Sequence, residues 1–212
     1  LPFVLIILLI NMFFSIPKMN VNHLRPVLFE GMKPVISGAH TVLAFPFAEA
    51  VLFIAVFDTL KEKKYIYKVF YIGLLLSGLM LMVTNLRNVL TVGANLVELL
   101  YFPSFMAVRM ISIGELIERA EITLAVIFIL GGLIKVSICI IVASKGIASF
   151  FTLSNHKSII VPVLLAMMSL ASLLYTDAMH MFRWDINIYK YYTIPFQLIL
   201  PLLIYGVAEI RV

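Results

Sequence analysis

Two side chains in this sequence stand where charge is costly. Glu49 lies inside the apolar stretch Thr41-Val42-Leu43-Ala44-Phe45-Pro46-Phe47-Ala48-Glu49, and Lys135 lies inside the run from about Ile122 to Ala143. A charge at the centre of a membrane helix costs on the order of 3 kcal/mol on insertion scales, so such groups usually face a bundle interior and serve a purpose. Lys135 is two turns or more from either end of its run, too deep to extend its ammonium easily to the interface. A contact between Glu49 and Lys135 would spare both the full desolvation cost, whether it only holds two helices together or couples them to a ligand. A neutral, desolvated Lys135 acting as a proton-linked switch is a third use of the same residue.

The backbone beside Glu49 is equally informative. Pro46 removes one amide donor and disfavours helix at Phe45. The result is either a simple proline kink or a true break that frees carbonyls and amides, and a break at membrane depth is tolerated only where it is buried in protein or lines a cavity. Transporters build substrate and ion sites at such breaks. Thr41, Phe45, Pro46, Glu49 and Lys135 are therefore the candidate ligand-binding or coupling residues.

Other chemistry is thinly represented. His23, His40, His156 and His180 are scattered without metal-ligand spacing, and Cys139 is the single cysteine. There is no His-Glu-x-x-His, no Gly-x-Ser-x-Gly and no phosphate-cradling glycine loop. The sequence thus points to no metal, no cofactor and no catalytic residue, and an enzyme is unsupported.

The elements that must position Glu49 and Lys135 follow from composition. The chain is 63% hydrophobic and only 13% charged over 212 residues, against about half and about a quarter in a soluble domain. A soluble fold of this size could not hide that apolar surface, whereas a bilayer can, provided helices satisfy their own backbone. Six runs fit: Leu1 to Ile16, about Met32 to Thr59, Ile66 to Leu86, Ile122 to Ala143, Ser158 to Tyr175 and Tyr192 to Ala208. The expected fold is an all-α membrane protein, a single transmembrane domain over residues 1–212. The first run is short and opens at Leu1 without a basic flank, as in a fragment whose N-terminal helices are missing.

The net charge of +5 resides in short loops, which fits membrane lipid rather than nucleic acid as the partner. The lysine-rich loop at 61–68 and the Lys145–Lys157 loop are expected in the cytoplasm, and the long connector at about 88–120 outside. Apolar residues recur in the connector at helical spacing (Met106, Met110, Ile113, Ile117), so it reads as an amphipathic helix over the bundle or in the interface. It carries Arg109, Glu115, Glu118, Arg119 and Glu121; Glu115 and Arg119 are a favourable i,i+4 pair, and a plain solvated face explains the set equally well. Gly73, Ser77, Gly131 and Gly132 suit close helix packing.

The connector segment Phe102-Pro103-Ser104-Phe105-Met106-Ala107-Val108-Arg109-Met110-Ile111-Ser112-Ile113-Gly114-Glu115-Leu116-Ile117-Glu118-Arg119-Ala120-Glu121 closely resembles that of the endospore germination permeases, the B subunits of nutrient germinant receptors. Leu24-Arg25-Pro26-Val27, Glu30-Gly31-Met32-Lys33-Pro34-Val35, Phe47-Ala48-Glu49 and Ile134-Lys135-Val136-Ser137 resemble the family more weakly. The resemblance covers essentially the whole chain. It implies a member of the amino acid–polyamine–organocation superfamily, with ten helices in a five-plus-five inverted repeat, of which these runs are helices five to ten. Helix six is then the discontinuous one, in agreement with Pro46 and Glu49, and helix one, the other broken helix, is absent. The resemblance further implies an inner spore membrane location, A and C receptor subunits as partners, and the sensing of a small nutrient such as an amino acid that triggers germination. Rival readings on the same fold are a proton- or sodium-coupled amino-acid permease and a water or ion conduit.

If Lys135 works in sensing or coupling, spores carrying Lys135→Ala in the full-length protein should lose nutrient-triggered germination at normal abundance by immunoblot. A normal response would make this lysine dispensable and shift attention to the connector.

Overall fold

The structure, a computed structural model, describes residues 2–57, 62–110 and 121–211. Its helices are α1 (Pro2–Ser15), α2 (Lys33–Val42), α3 (Ile54–Phe57), α4 (Ile66–Val92), α5 (Ala94–Leu99), α6 (Pro103–Arg109), α7 (Glu121–Phe150), α8 (Ile160–Leu174), α9 (Ala178–Trp184), α10 (Lys190–Tyr192) and α11 (Leu200–Arg211). Among the described residues, four helical segments are long and apolar enough to cross a membrane: Lys33–Phe57, Lys63–Val92, Glu121–Phe150 and His156–Leu174. A fifth crossing is available if Ala178–Tyr192 and Pro195–Ile210, bent by 42°, count as one span. The remaining apolar run is the shorter helix Val4–Lys18. The fold is therefore all-α and membrane-embedded, with four to five spans by length where six runs were expected. Apolar side chains point outward along the spans: Leu75 is 72% exposed and Leu173 82%. Hydrocarbon accepts such surface and water does not.

Three elements differ from the sequence reading. The third run continues past Leu86 to Val92, carrying Arg87, Asn88 and Thr91 into helix. The fourth continues past Ala143 to Phe150, so Lys145 is a helical residue rather than a loop residue. The polar stretch at 177–190, between the fifth and sixth runs, is helical from Ala178 and leads into the last span. In each case polar side chains were read as a boundary, but a helix satisfies its own backbone whatever its side chains are. Asp177 caps the last of these, its carboxylate accepting the His180 amide at 2.7 Å, and that bond holds its pKa below the ordinary value. The packing role expected of the glycines is not seen within the described chain, where a Cβ at Gly73, Gly131 or Gly132 would meet nothing within 4 Å.

The chain divides into two compact units. The first comprises Leu1–Phe29 and Tyr67–Lys135. Here Val108 of α6 and Leu124 of α7 are buried, with Phe14 of α1 and Ile127 packed against them. Asn11 of α1, 5% exposed, donates to the Thr123 hydroxyl of α7 at 3.0 Å and to the Ile7 carbonyl at 2.9 Å. α4 stops at Gly93, whose φ of +93° is open to glycine and costly for other residues. One carbonyl near this end is taken up by a loop, with the Asn20 amide and the His23 Nδ1 each 2.9 Å from Leu90 O. That is how a helix terminus normally disposes of its orphan acceptors.

The second unit comprises Glu30–Ile66 and Val136–Val212. It contains α2, α3, the latter part of α7, and everything from α8 onward. Lys145 of α7 donates to the Ala55 carbonyl of α3 at 2.6 Å. Turns of Ala48–Phe53, which follow Pro46, pack against Pro195–Ile199 within this unit.

The Asn11–Thr123 bond is an interhelical bond in a largely apolar setting, where such contacts contribute about 0.6–2 kcal/mol. Asn11→Ala and Thr123→Val should each lower stability by about 1 kcal/mol, and the double variant by little more than the larger single effect. Thermal unfolding of the purified protein in detergent checks this, and simple additivity would contradict the pairing.

Candidate functional site

The break predicted at Pro46 is present. α2 ends at Val42, the chain makes a wide turn over Leu43–Phe47, and Phe45 lies within it at φ −139°, ψ 121°, an extended conformation. The Phe45–Pro46 peptide is cis. Proline explains the location: it has no amide to donate and its ring excludes helical geometry from the preceding residue. The Ala48 amide recovers the Leu43 carbonyl across the break, and helical turns resume from Ala48 to Phe53. This is a discontinuous helix rather than a kinked one.

Glu49 is the second residue of the resumed helix, and it is engaged. The Tyr189 hydroxyl donates to Glu49 Oε1 at 2.6 Å, and Gln197 Nε2 donates to the same hydroxyl oxygen at 3.3 Å. The Phe45 ring meets Tyr189 edge-on at 6.2 Å between centroids, and Trp184 meets it from another side at 5.8 Å. Thr193, 6% exposed, donates from its hydroxyl to the Tyr189 carbonyl at 2.9 Å. His40 of α2 lies 5.9 Å from the Tyr191 ring. A carboxylate beside a helix break, hydrogen-bonded to a phenol and walled by aromatic rings, can receive a cationic group or a proton. Its hold on Tyr189 ties the helical turns after Pro46 to the segment that precedes Pro195.

The other sequence candidates are placed as follows. Phe45, Pro46 and Glu49 fall together at the break. Thr41 stands one turn earlier, its hydroxyl donating to Ser37 O at 3.1 Å within its own helix. Lys135 belongs to the other unit, at whose chain boundary it lies in the middle of α7. In the connector, Arg109 sits in the last turn of α6 and Glu121 in the first turn of α7, each at the helix end that favours its charge. Glu115, Glu118 and Arg119 lie outside the described residues. Among the described residues no three His, Cys, Asp or Glu side chains gather as a metal site would require.

Sequence reasoning missed Tyr189, Thr193 and Gln197. Tyr189 stands outside the six apolar runs, three residues before the last of them begins at Tyr192. The signal was available: the three residues recur every fourth position, a polar stripe along one helical face of an apolar run.

Tyr189→Phe removes the donor and leaves Glu49 with one bond fewer, so it should lower the unfolding free energy by about 1–2 kcal/mol. Glu49→Gln keeps a carbonyl acceptor for Tyr189 and should cost less. Thermal unfolding in detergent ranks the two, and the reverse order would mean that the phenol does not hold the carboxylate.

Comparison with known proteins bears on the whole chain. The family described as spore germination protein matches residues 1–180. Spore germination protein KB of Bacillus subtilis (strain 168) is 28% identical over 189 residues, covering 88% of this chain and 51% of that protein. Spore germination protein A2 of the same organism is 30% identical over 159 residues, covering 74% of this chain and 43% of that protein. The chain thus spans about half the length of these relatives. No solved structure matches. With most of its length matched to that family and its apolar helices able to cross a bilayer, the chain is an integral membrane protein that belongs to the spore germination permease family.

Proposed function

We propose that the chain forms part of the transporter-like subunit of a spore nutrient germinant receptor, which senses a small nutrient such as an amino acid and triggers germination. The observation that carries this reading is the Tyr189–Glu49 hydrogen bond directly after the helix break at Phe45 and Pro46. A half-helix N-terminus presents amides and a positive dipole end, which favour a carboxylate. The Glu49 carboxylate close behind it offers the opposite charge, suited to an ammonium. A zwitterion needs both. Occupancy would compete with Tyr189 for Glu49 and so loosen one broken segment from the other, with Lys135 as the second coupling charge. The family membership supports the setting: the inner spore membrane, with A and C receptor subunits as partners and the connector as the element that moves or makes contact.

The helix break also favours a second reading, a proton- or sodium-coupled amino-acid permease, because discontinuous helices are how such carriers build their sites. Uptake of labelled amino acid into vesicles containing the full-length protein separates the two, since a receptor need not accumulate anything.

Glu49→Gln in the full-length protein should shift the nutrient dose response of spores to higher concentration by tenfold or more, at normal abundance. An unchanged dose response at normal abundance would remove Glu49 from sensing.

A further inference from the structure

The end of α4 carries a second polar feature that the break does not explain. The buried residues of this 27-residue helix are Arg87, Asn88, Thr91 and Val92, three of them polar. A helix that packs through its apolar face shows the opposite pattern. Arg87 is 2% exposed and Thr91 3%. The guanidinium donates from Nη2 to Asn88 Oδ1 at 2.7 Å, and Asn88 Nδ2 passes the chain on to the Ser104 hydroxyl of α6 at 2.8 Å. Arg87 Nε and Thr91 Oγ1 are buried and have no hydrogen-bond partner among the described residues. They are four residues apart and so lie on one helical face.

A buried guanidinium without a counter-charge leaves its desolvation cost uncompensated. Among the described residues no carboxylate pairs with Arg87. Its planar fork matches a carboxylate through two parallel hydrogen bonds, Nε being one of the donors in that geometry. A cleft of about 300 Å³ opens where α4 ends, beginning at Val92, the residue after Thr91. Its polar lining is Asn22, His23, Arg25 and Asn95, and none of its lining residues is acidic. Arg87 and Thr91 do not line this cleft; it opens one residue beyond Thr91 along the chain, and Arg25 is the one charged residue of its lining. All of these residues belong to the first unit, whereas the helix break belongs to the second.

We infer that the end of α4 is a receptor for a carboxylate, with Arg87 as its charged anchor, Thr91 as a supporting hydroxyl and the cleft at Val92–Leu96 as the approach. The carboxylate is that of a small solute or an acidic side chain supplied by polypeptide, and the chemistry at Arg87 is the same. This site does not depend on the amino-acid reading of the Glu49 break.

The test uses the full-length protein in detergent, with sodium acetate as the probe and sodium chloride at equal ionic strength as the control. For a solute site, acetate should raise the wild-type unfolding temperature by roughly 2–4 °C with saturation. Arg87→Met should abolish that rise, and Thr91→Val and Arg87→Lys should at least halve it. For a polypeptide carboxylate, acetate should do nothing, but one connector Glu→Gln change should lower the unfolding temperature in the wild type and not in Arg87→Met. Should Arg87→Met fail to fold, Arg87→Lys replaces it in both arms. An acetate response untouched by Thr91→Val and Arg87→Lys overturns the inference. So does the joint absence of an acetate response and of any glutamate coupling, which would leave Arg87 as a hydrogen-bond donor to Asn88 and nothing more.

Discussion

A carbonyl or amide released inside hydrocarbon has no water to turn to, so every interruption of a spanning helix must be compensated by the protein or by something it binds. In this chain the interruption is at Phe45 and Pro46, and the surrounding residues are arranged around that fact. Leu43 O is recovered by Ala48 across the break. The resumed helix is held by Glu49 to Tyr189, and further along, Ala55 O receives the Lys145 ammonium. The segment is broken in its backbone and fastened through its carbonyls and side chains. Rigid closure would waste the break, and an unfastened break would not survive in lipid. A few replaceable hydrogen bonds satisfy both conditions.

The polar side chains of the two units do different work. In the first unit, Asn11, Thr123 and Ser15 satisfy one another or their own backbone, which is what polar groups in membrane bundles ordinarily do. Arg87 and Thr91 depart from that rule because they are buried with donors to spare. In the second unit the polar groups cluster where the helical turns after Pro46 meet the last span, and their spacing of four along that span makes one face of an apolar helix adhesive. Membership in the spore germination permease family gives both arrangements a common setting, the membrane.

Much of this was legible in the sequence, and the failures have a physical pattern. Composition alone fixed an all-α membrane fold, because no soluble packing could absorb so many apolar side chains. Pro46 located the break, because proline acts on its own backbone and its predecessor without help from tertiary structure. Glu49 stood out because an isolated carboxylate in an apolar run is expensive. What was misjudged was polar residues at helix ends: Arg87, Lys145 and the stretch after Asp177 fall outside the expected apolar spans although the helices run through them. A window of sequence registers cost but not the partners that offset it, such as the Ala55 carbonyl that receives Lys145. Tyr189 escaped for the same reason, since its value lies in Glu49, 140 positions away.

The lengths of α4 and α7 bring in a variable that no side chain controls. At 27 and 30 residues they measure about 40 and about 45 Å, against a hydrocarbon thickness of about 30 Å. Helices longer than the slab lean or protrude, and the adjustment costs fractions of a kcal/mol per Å. Thickening the bilayer would draw them upright, and thinning it would lay them over. The protein is thereby coupled to the state of its lipid, so that the order and thickness of the acyl chains become a second input beside whatever it binds.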